Sequence, residues 1–176
     1  MPYSMDIRGK DQSGAPNLFF DLKNNKLSQK GSKSTVFKVT STQLPAMQGV
    51  ALTDLLLTHN NKGEPHWHPN AGELDYIISG EVVTSVIDPY TLQLLQYHVK
   101  PGQVVFIPMG WWHWITPISE KAHLLVTYNN DNPKTVKSSD VLQLIPLDVL
   151  KSEHGLPSYY ATVTPYQYQK YPVQYQ

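Results

Sequence analysis

The chain contains no cysteine, which removes disulfide cross-links, thiolate nucleophiles and cysteine-ligated zinc. Arginine is almost missing too: of 14 basic residues in 176, only Arg8 carries a guanidinium and the rest are lysines. Planar, bidentate clamping of a carboxylate is therefore available at one position at most. Charge of neither sign dominates, with 14 basic against 14 acidic residues. That balance gives no electrostatic case for nucleic acid or an anionic membrane as partner. No apolar run approaches the span of a bilayer, and the opening Met1-Pro2-Tyr3-Ser4-Met5-Asp6 lacks an apolar signal core. The expectation is a soluble cytoplasmic protein, with the compartment resting on the missing signal alone. The length suits one domain with a substantial core.

What is present concentrates in Gly63-Glu64-Pro65-His66-Trp67-His68-Pro69-Asn70-Ala71-Gly72-Glu73. On a β-strand residues i and i+2 share a face, so His66 and His68 can aim both imidazoles at one point. Pro69 to Gly72 then make a tight connection that returns Glu73 to the same place. A third histidine follows in Pro108-Met109-Gly110-Trp111-Trp112-His113. Three imidazoles and a carboxylate converging inside a β-structure make a divalent-metal site, with His66, His68, Glu73 and His113 as ligands. A neutral imidazole donates to the ion, and an ionised glutamate partly offsets its charge. Two octahedral positions stay open for a substrate oxygen, dioxygen or water. Nitrogen and oxygen donors without sulfur suit Mn, Fe, Co, Ni or Zn, and spacing does not choose among them. His59, His98 and His123 stand singly at strand positions and read as surface or hydrogen-bonded residues.

Residues 1–16 are polar, with Gly and Pro, and read as a flexible N-terminal arm. Leu18-Phe19-Phe20-Asp21-Leu22 reads as an edge strand before the turn Asn24-Asn25-Lys26. Further strands are expected over 35–40, 50–58, 74–79, 81–87, 92–99, 103–107, 112–116 and 123–129, with turns at Asp88-Pro89-Tyr90 and Pro101-Gly102. Many short strands punctuated by Gly and Pro indicate an all-β, antiparallel, closed or sandwich-like architecture. Helical signals come only late, at Asp140 to Leu144 and from Pro146 to Leu150, the second ended by Gly155 and Pro157. The chain divides into the arm, a domain over 17–157, and a Tyr/Gln-rich C-terminal tail over 158–176 whose composition argues against independent folding.

These histidine stretches resemble the two motifs of the cupin superfamily. The first runs G-x5-H-x-H-x3-4-E-x6-G; His66, His68, Glu73 and Gly80 fall at its intervals, and an asparagine replaces its leading glycine. The second runs G-x5-P-x-G-x2-H-x3-N; Gly102, Pro108, Gly110 and His113 match, with Pro117 at the final asparagine. Neither departure touches a metal ligand. From about Leu18 to Leu156 the chain also resembles one cupin domain of the bacterial oxalate decarboxylases, through Glu64 to Asn70, Ile78-Ser79-Gly80, Asn25 to Gly31 and the late helical signals. The resemblance implies a double-stranded β-helix, or jelly-roll barrel, with an N-terminal arm, one or two short C-terminal helices and the metal inside the barrel mouth. It implies manganese as cofactor, a small carboxylate or dioxygen as ligand, and a homo-oligomer, since many single-domain cupins pair through strand addition.

Two positions depart from those enzymes. They place an arginine three residues before the first metal histidine, where this chain has Gly63, and a glutamate on a lid, where residues 129–140 contain none. Lys62 and Trp67 are the remaining candidates for substrate contact. The sequence thus describes a metal-binding cupin in which oxalate decarboxylation itself lacks its substrate residues. Competing readings are an iron dioxygenase or sugar isomerase, and a non-catalytic protein whose metal holds the barrel together.

Overall fold

The computed structural model describes residues 17–27, 34–59, 63–146 and 148–149. Their strands are β1 (Lys26–Leu27), β2 (Thr35–Val39), β3 (Ala51–Thr58), β4 (His66–Trp67), β5 (Glu73–Ser79), β6 (Val82–Ile87), β7 (Leu94–Val99), β8 (Val104–Ile107), β9 (His113–Pro117), β10 (Lys121–Tyr128) and β11 (Val136–Lys137). They form a six-stranded sheet in the order β1-β2-β3-β10-β5-β8 and a five-stranded sheet in the order β11-β4-β9-β6-β7. The order is far from sequential: β10 sits between β3 and β5, and β9 between β4 and β6. That crossing of distant strands brings a residue near position 70 against one near 110.

Alternation decides which side chains fill the interior. Along β10, Ala122, Leu124, Val126 and Tyr128 are buried while the residues between them are not, as a period of two requires. One core joins Ile77, Leu124, Val126 and Leu57 of the first sheet to Val82, Val99 and Ile115 of the second. Antiparallel register stacks the inward residues in rows, Lys38 beside Thr53, Thr53 beside Val126, and Val126 beside Asp75. One row nearer the histidines lie Ala51, Tyr128, Glu73 and Ile107. The all-β jelly-roll expectation therefore holds.

Residues 18–22 are not a strand. Leu22–Asn24 form a 3-10 turn, and the Asp21 carboxylate accepts from the Lys23 amide at 3.1 Å. A short acid that bonds to nearby backbone competes with strand pairing, so pairing begins only at Lys26, and Leu18 and Phe19 are exposed. After Val136 the chain enters a second compact unit, in which helix α1 (Ser138–Leu144) occupies the expected late turn. The arm, the tail and most of the helical signal after Pro146 lie outside the described residues. Among the described residues no helix is long and apolar enough to cross a membrane.

Candidate metal centre

Strand pairing assembles the site. His66 of β4 lies directly opposite His113 of β9, His68 follows β4, and Glu73 opens β5 after the turn at Pro69-Asn70. One potential ligand atom from each of the four lies within 4.8 Å of the others. The rings crowd one another, with centroids 4.3 Å apart for His66 and His113, 5.2 Å for His66 and His68, and 5.4 Å for His68 and His113. His68, Glu73 and His113 are buried and His66 is partly so.

Each imidazole is oriented from behind by a main-chain carbonyl. His66 Nδ1 donates to Glu64 O at 2.8 Å, His68 Nδ1 to Lys134 O at 2.6 Å, and His113 Nδ1 to Trp111 O at 3.0 Å. A carbonyl only accepts, so the proton of each neutral ring sits on Nδ1 and the Nε2 lone pair is left for the site. His68 Nε2 then stands 2.7 Å from Glu73 Oε2. His113 Nε2, 3.5 Å from the same oxygen, is buried without a hydrogen-bond partner among the described residues. Lone pairs aimed at a carboxylate are satisfied by a cation between them. The donor set fits a divalent ion.

For His66 and Glu73 the protonation agrees with that role. Burial, followed by the neighbouring His113, lowers the His66 pKa to about 4, so its ring is a neutral donor near neutral pH. Burial opposes the charge on Glu73, but His113 and His68 outweigh it and hold the carboxyl well below the usual range. Burial also opposes charge on His113, where the adjacent Glu73 prevails and raises the pKa.

A clasp of asparagines, not apparent from the motifs, backs the ligand turn. Asn129 Oδ1 accepts from Gly72 N at 2.7 Å, and Asn130 Nδ2 donates to Asn70 O at 2.9 Å. Asn70 returns two bonds, Nδ2 to Asn132 O at 3.2 Å and Oδ1 from Lys134 N at 2.8 Å. With the His68–Lys134 bond, the loop that lacks a glutamate is fastened to the turn between His68 and Glu73.

Three further residues border the centre. Tyr128 sets its ring edgewise against His68, with centroids 5.1 Å apart. Asp75 shares the inward face of β5 with Glu73 and has no exposed surface, and neither carboxyl oxygen has a hydrogen-bond partner among the described residues. Burial, then Glu73, pushes its pKa well up and favours the neutral acid. Lys38 places Nζ 5.3 Å from the Tyr128 ring centroid. The signal for Asp75 and Lys38 was strand alternation: each occupies an inward position where an apolar side chain is the rule.

Trp67, between the two histidines, turns away from the donors by alternation and packs on Trp112, with ring centroids 4.4 Å apart. Lys62 lies outside the described residues. His98 and His123 do hydrogen-bond to acids, Glu81 and Asp54, each at 2.6 Å.

Residues 19–158 match the Cupin family. Spherulin-1A of Physarum polycephalum is 27% identical over 135 residues, covering 74% of this chain and 55% of that protein. This chain thus spans about half the length of that relative. Bacillus subtilis oxalate decarboxylase, a protein with Mn(II) centres, superposes with a TM-score of 0.74 at 22% identity, over 88% of this chain and 40% of that one. Oxalate oxidase in complex with the substrate analogue glycolate superposes with a TM-score of 0.76 at 22% identity, over 88% and 83%. At such identities the structural likeness speaks for the fold. With the family match covering most of the sequence, the chain belongs to the cupin family.

Proposed function

We propose that this cupin binds one manganese ion through His66, His68, Glu73 and His113 and takes a small carboxylate at the ion's open positions. One observation carries the proposal: three imidazoles, each fixed by a carbonyl at Nδ1, turn Nε2 toward one buried carboxylate. The Mn(II) centres of the B. subtilis relative support manganese over other metals that suit these donors. When bound, such an ion supplies Lewis acidity and a template for orienting oxygen ligands. The chain's own contribution is to fix the donors and to set the Tyr128 ring and the buried Asp75 beside them. Rapid oxalate decarboxylation is not part of the proposal, because the arginine and lid-glutamate positions are empty of those residues.

Metal analysis of protein purified without added metal tests the reading. It expects about one divalent ion per chain, carboxylate binding that depends on the ion, and loss of both in His68→Ala. Protein that takes up no divalent metal overturns it.

A second copy of the chain is the proposed partner. On the outer face of the six-stranded sheet, Leu74 lies opposite Phe106 and Tyr76 opposite Val104, and these four, with Ile78, are 39–59% exposed. The outer face of an antiparallel sheet is ordinarily polar, and an apolar patch of a few hundred Å² marks a contact surface. Asp54 and His123, in the same face, close a 2.6 Å pair with each other. In a twofold contact a face meets its own copy, so charge settled within the face avoids self-repulsion.

A further inference from the structure

We infer that Lys38 recognises the anionic end of the ligand at this metal centre and restricts it to carboxylates. The inference deepens the proposed function and rests on it.

Lys38 is in the middle of β2, paired with Thr53 of β3. Thr53 is buried on the inward face, in the row that continues through Val126 to Asp75. Residues directly opposite in a sheet project to the same side, so the lysine stem enters the barrel and does not leave it. Its ammonium lies over the Tyr128 ring at 5.3 Å from the centroid, and the same ring abuts His68 at 5.1 Å. One aromatic ring thus neighbours both the lysine cation and a proposed ligand of the metal.

This ammonium makes no hydrogen bond or ion pair among the described residues. Its electrostatic neighbours are Glu73, whose carboxylate faces the histidines, and the cationic Lys134. A half-buried cation without an acceptor is costly to the fold; burial, the largest influence on it, lowers its pKa. The Tyr128 face returns only part of that cost. The cost is offset when an anion enters.

Charge balance names the class of anion. A divalent ion beside the single Glu73 carboxylate leaves the centre positive, and Lys38 adds to that excess. A carboxylate can place one oxygen toward the open metal positions and leave the other for a lysine. Three rotatable N–H groups donate to that oxygen over a range of angles, unlike an arginine fork. Lys38 thus supplies a charged donor that the chain's shortage of arginine would otherwise leave missing.

The test uses the manganese-loaded full chain, titrated calorimetrically with glycolate and with uncharged glycolamide. Lys38→Met keeps an apolar stem without charge, and Lys38→Arg restores the charge. Lys38→Met is expected to weaken glycolate by about 10- to 100-fold, the range for a hydrogen bond to a charged group, with metal content and glycolamide binding unchanged. Lys38→Arg should recover part of the loss. Unchanged glycolate affinity in Lys38→Met at full metal loading overturns the role of Lys38 and leaves the carboxylate reading standing, as does equal weakening of both ligands. Wild-type protein that fails to load metal, or loads it and binds no glycolate, overturns both. Should Lys38→Met fail to fold, amine labelling of the metal-loaded wild type decides. Shielding of Lys38 by glycolate supports the inference, and equal labelling with and without it overturns it.

Discussion

The Nδ1 of His68 donates to the main-chain carbonyl of Lys134 over 2.6 Å, across 66 residues of sequence. A candidate metal ligand and a distant loop therefore share one hydrogen bond, and that loop is held by side chains. Asn129 and Asn130 reach back to Gly72 and Asn70, while Asn70 reaches forward to Asn132 and Lys134. The segment that the resemblance matches to the glutamate-bearing loop of oxalate decarboxylases is here part of the mounting of His68. Orientation of a ligating imidazole by a partner at its other nitrogen ordinarily tunes metal affinity.

Asn70→Ala removes both side-chain bonds from the clasp without touching a ligand. The loss should destabilise the fold by about 1–3 kcal/mol, two exposed hydrogen bonds at about 0.5–1.5 kcal/mol each. With Lys134 released, metal affinity should fall by about 10- to 100-fold, the usual effect of losing support behind a ligand. Thermal melts with and without metal, together with a metal titration, give both numbers. Wild-type metal affinity in Asn70→Ala would show that Lys134 holds His68 without the clasp.

The clustering of the candidate ligands was legible because it is local: two histidines on alternate positions, a turn, and a glutamate need only the period of a strand. His113 was legible through its own glycine-proline spacing, although its place opposite His66 comes from strand order. Lys38, Asn70 and Asn129 were not legible, since each gains its role from a partner in a remote element. The aromatic run at 18–20 misled for a different reason. Its β propensity was real, but Asp21 caps a 3-10 turn and the two residues Leu18 and Phe19 face solvent.

Self-association through the outer sheet face should be visible in the mass of the native protein. Val104 lies opposite Tyr76 in that face and is 56% exposed. Val104→Glu introduces an unpaired charge, and truncating or charging a buried anchor of a contact costs about 2 kcal/mol or more, some 30-fold in dissociation constant. Leu94, 51% exposed on the opposite sheet, provides the matched control. Sedimentation or light scattering should find the wild type and Leu94→Glu associated and Val104→Glu monomeric, all with the same circular dichroism. A monomeric wild type at high concentration, or an associated Val104→Glu, would place the contact elsewhere.

Gly63 explains why an arginine cannot simply be put back. Its amide donates to Ile115 O at 2.9 Å, and a Cβ built on it would come 2.9 Å from that same oxygen and 3.2 Å from the Ile115 nitrogen. Those are main-chain atoms of β9, two residues beyond His113, and they cannot rotate aside. Gly63→Arg must therefore part the chain ahead of β4 from β9, the strand that faces His66. A strain of about 1–3 kcal/mol is expected from such a forced contact, with weaker metal binding because His66 and His113 no longer keep their register. Gly63→Ala should show much of the same loss without adding charge, which separates sterics from electrostatics. Neither variant should release CO2 and formate from oxalate, since residues 129–140 still supply no glutamate for the proton. Gly63→Arg with wild-type stability and rapid oxalate turnover would mean that the guanidinium was the sole deficiency and that β9 yields to it. The close approach at Ile115 argues for the opposite: the glycine is built into the strand contact that brings His66 to His113.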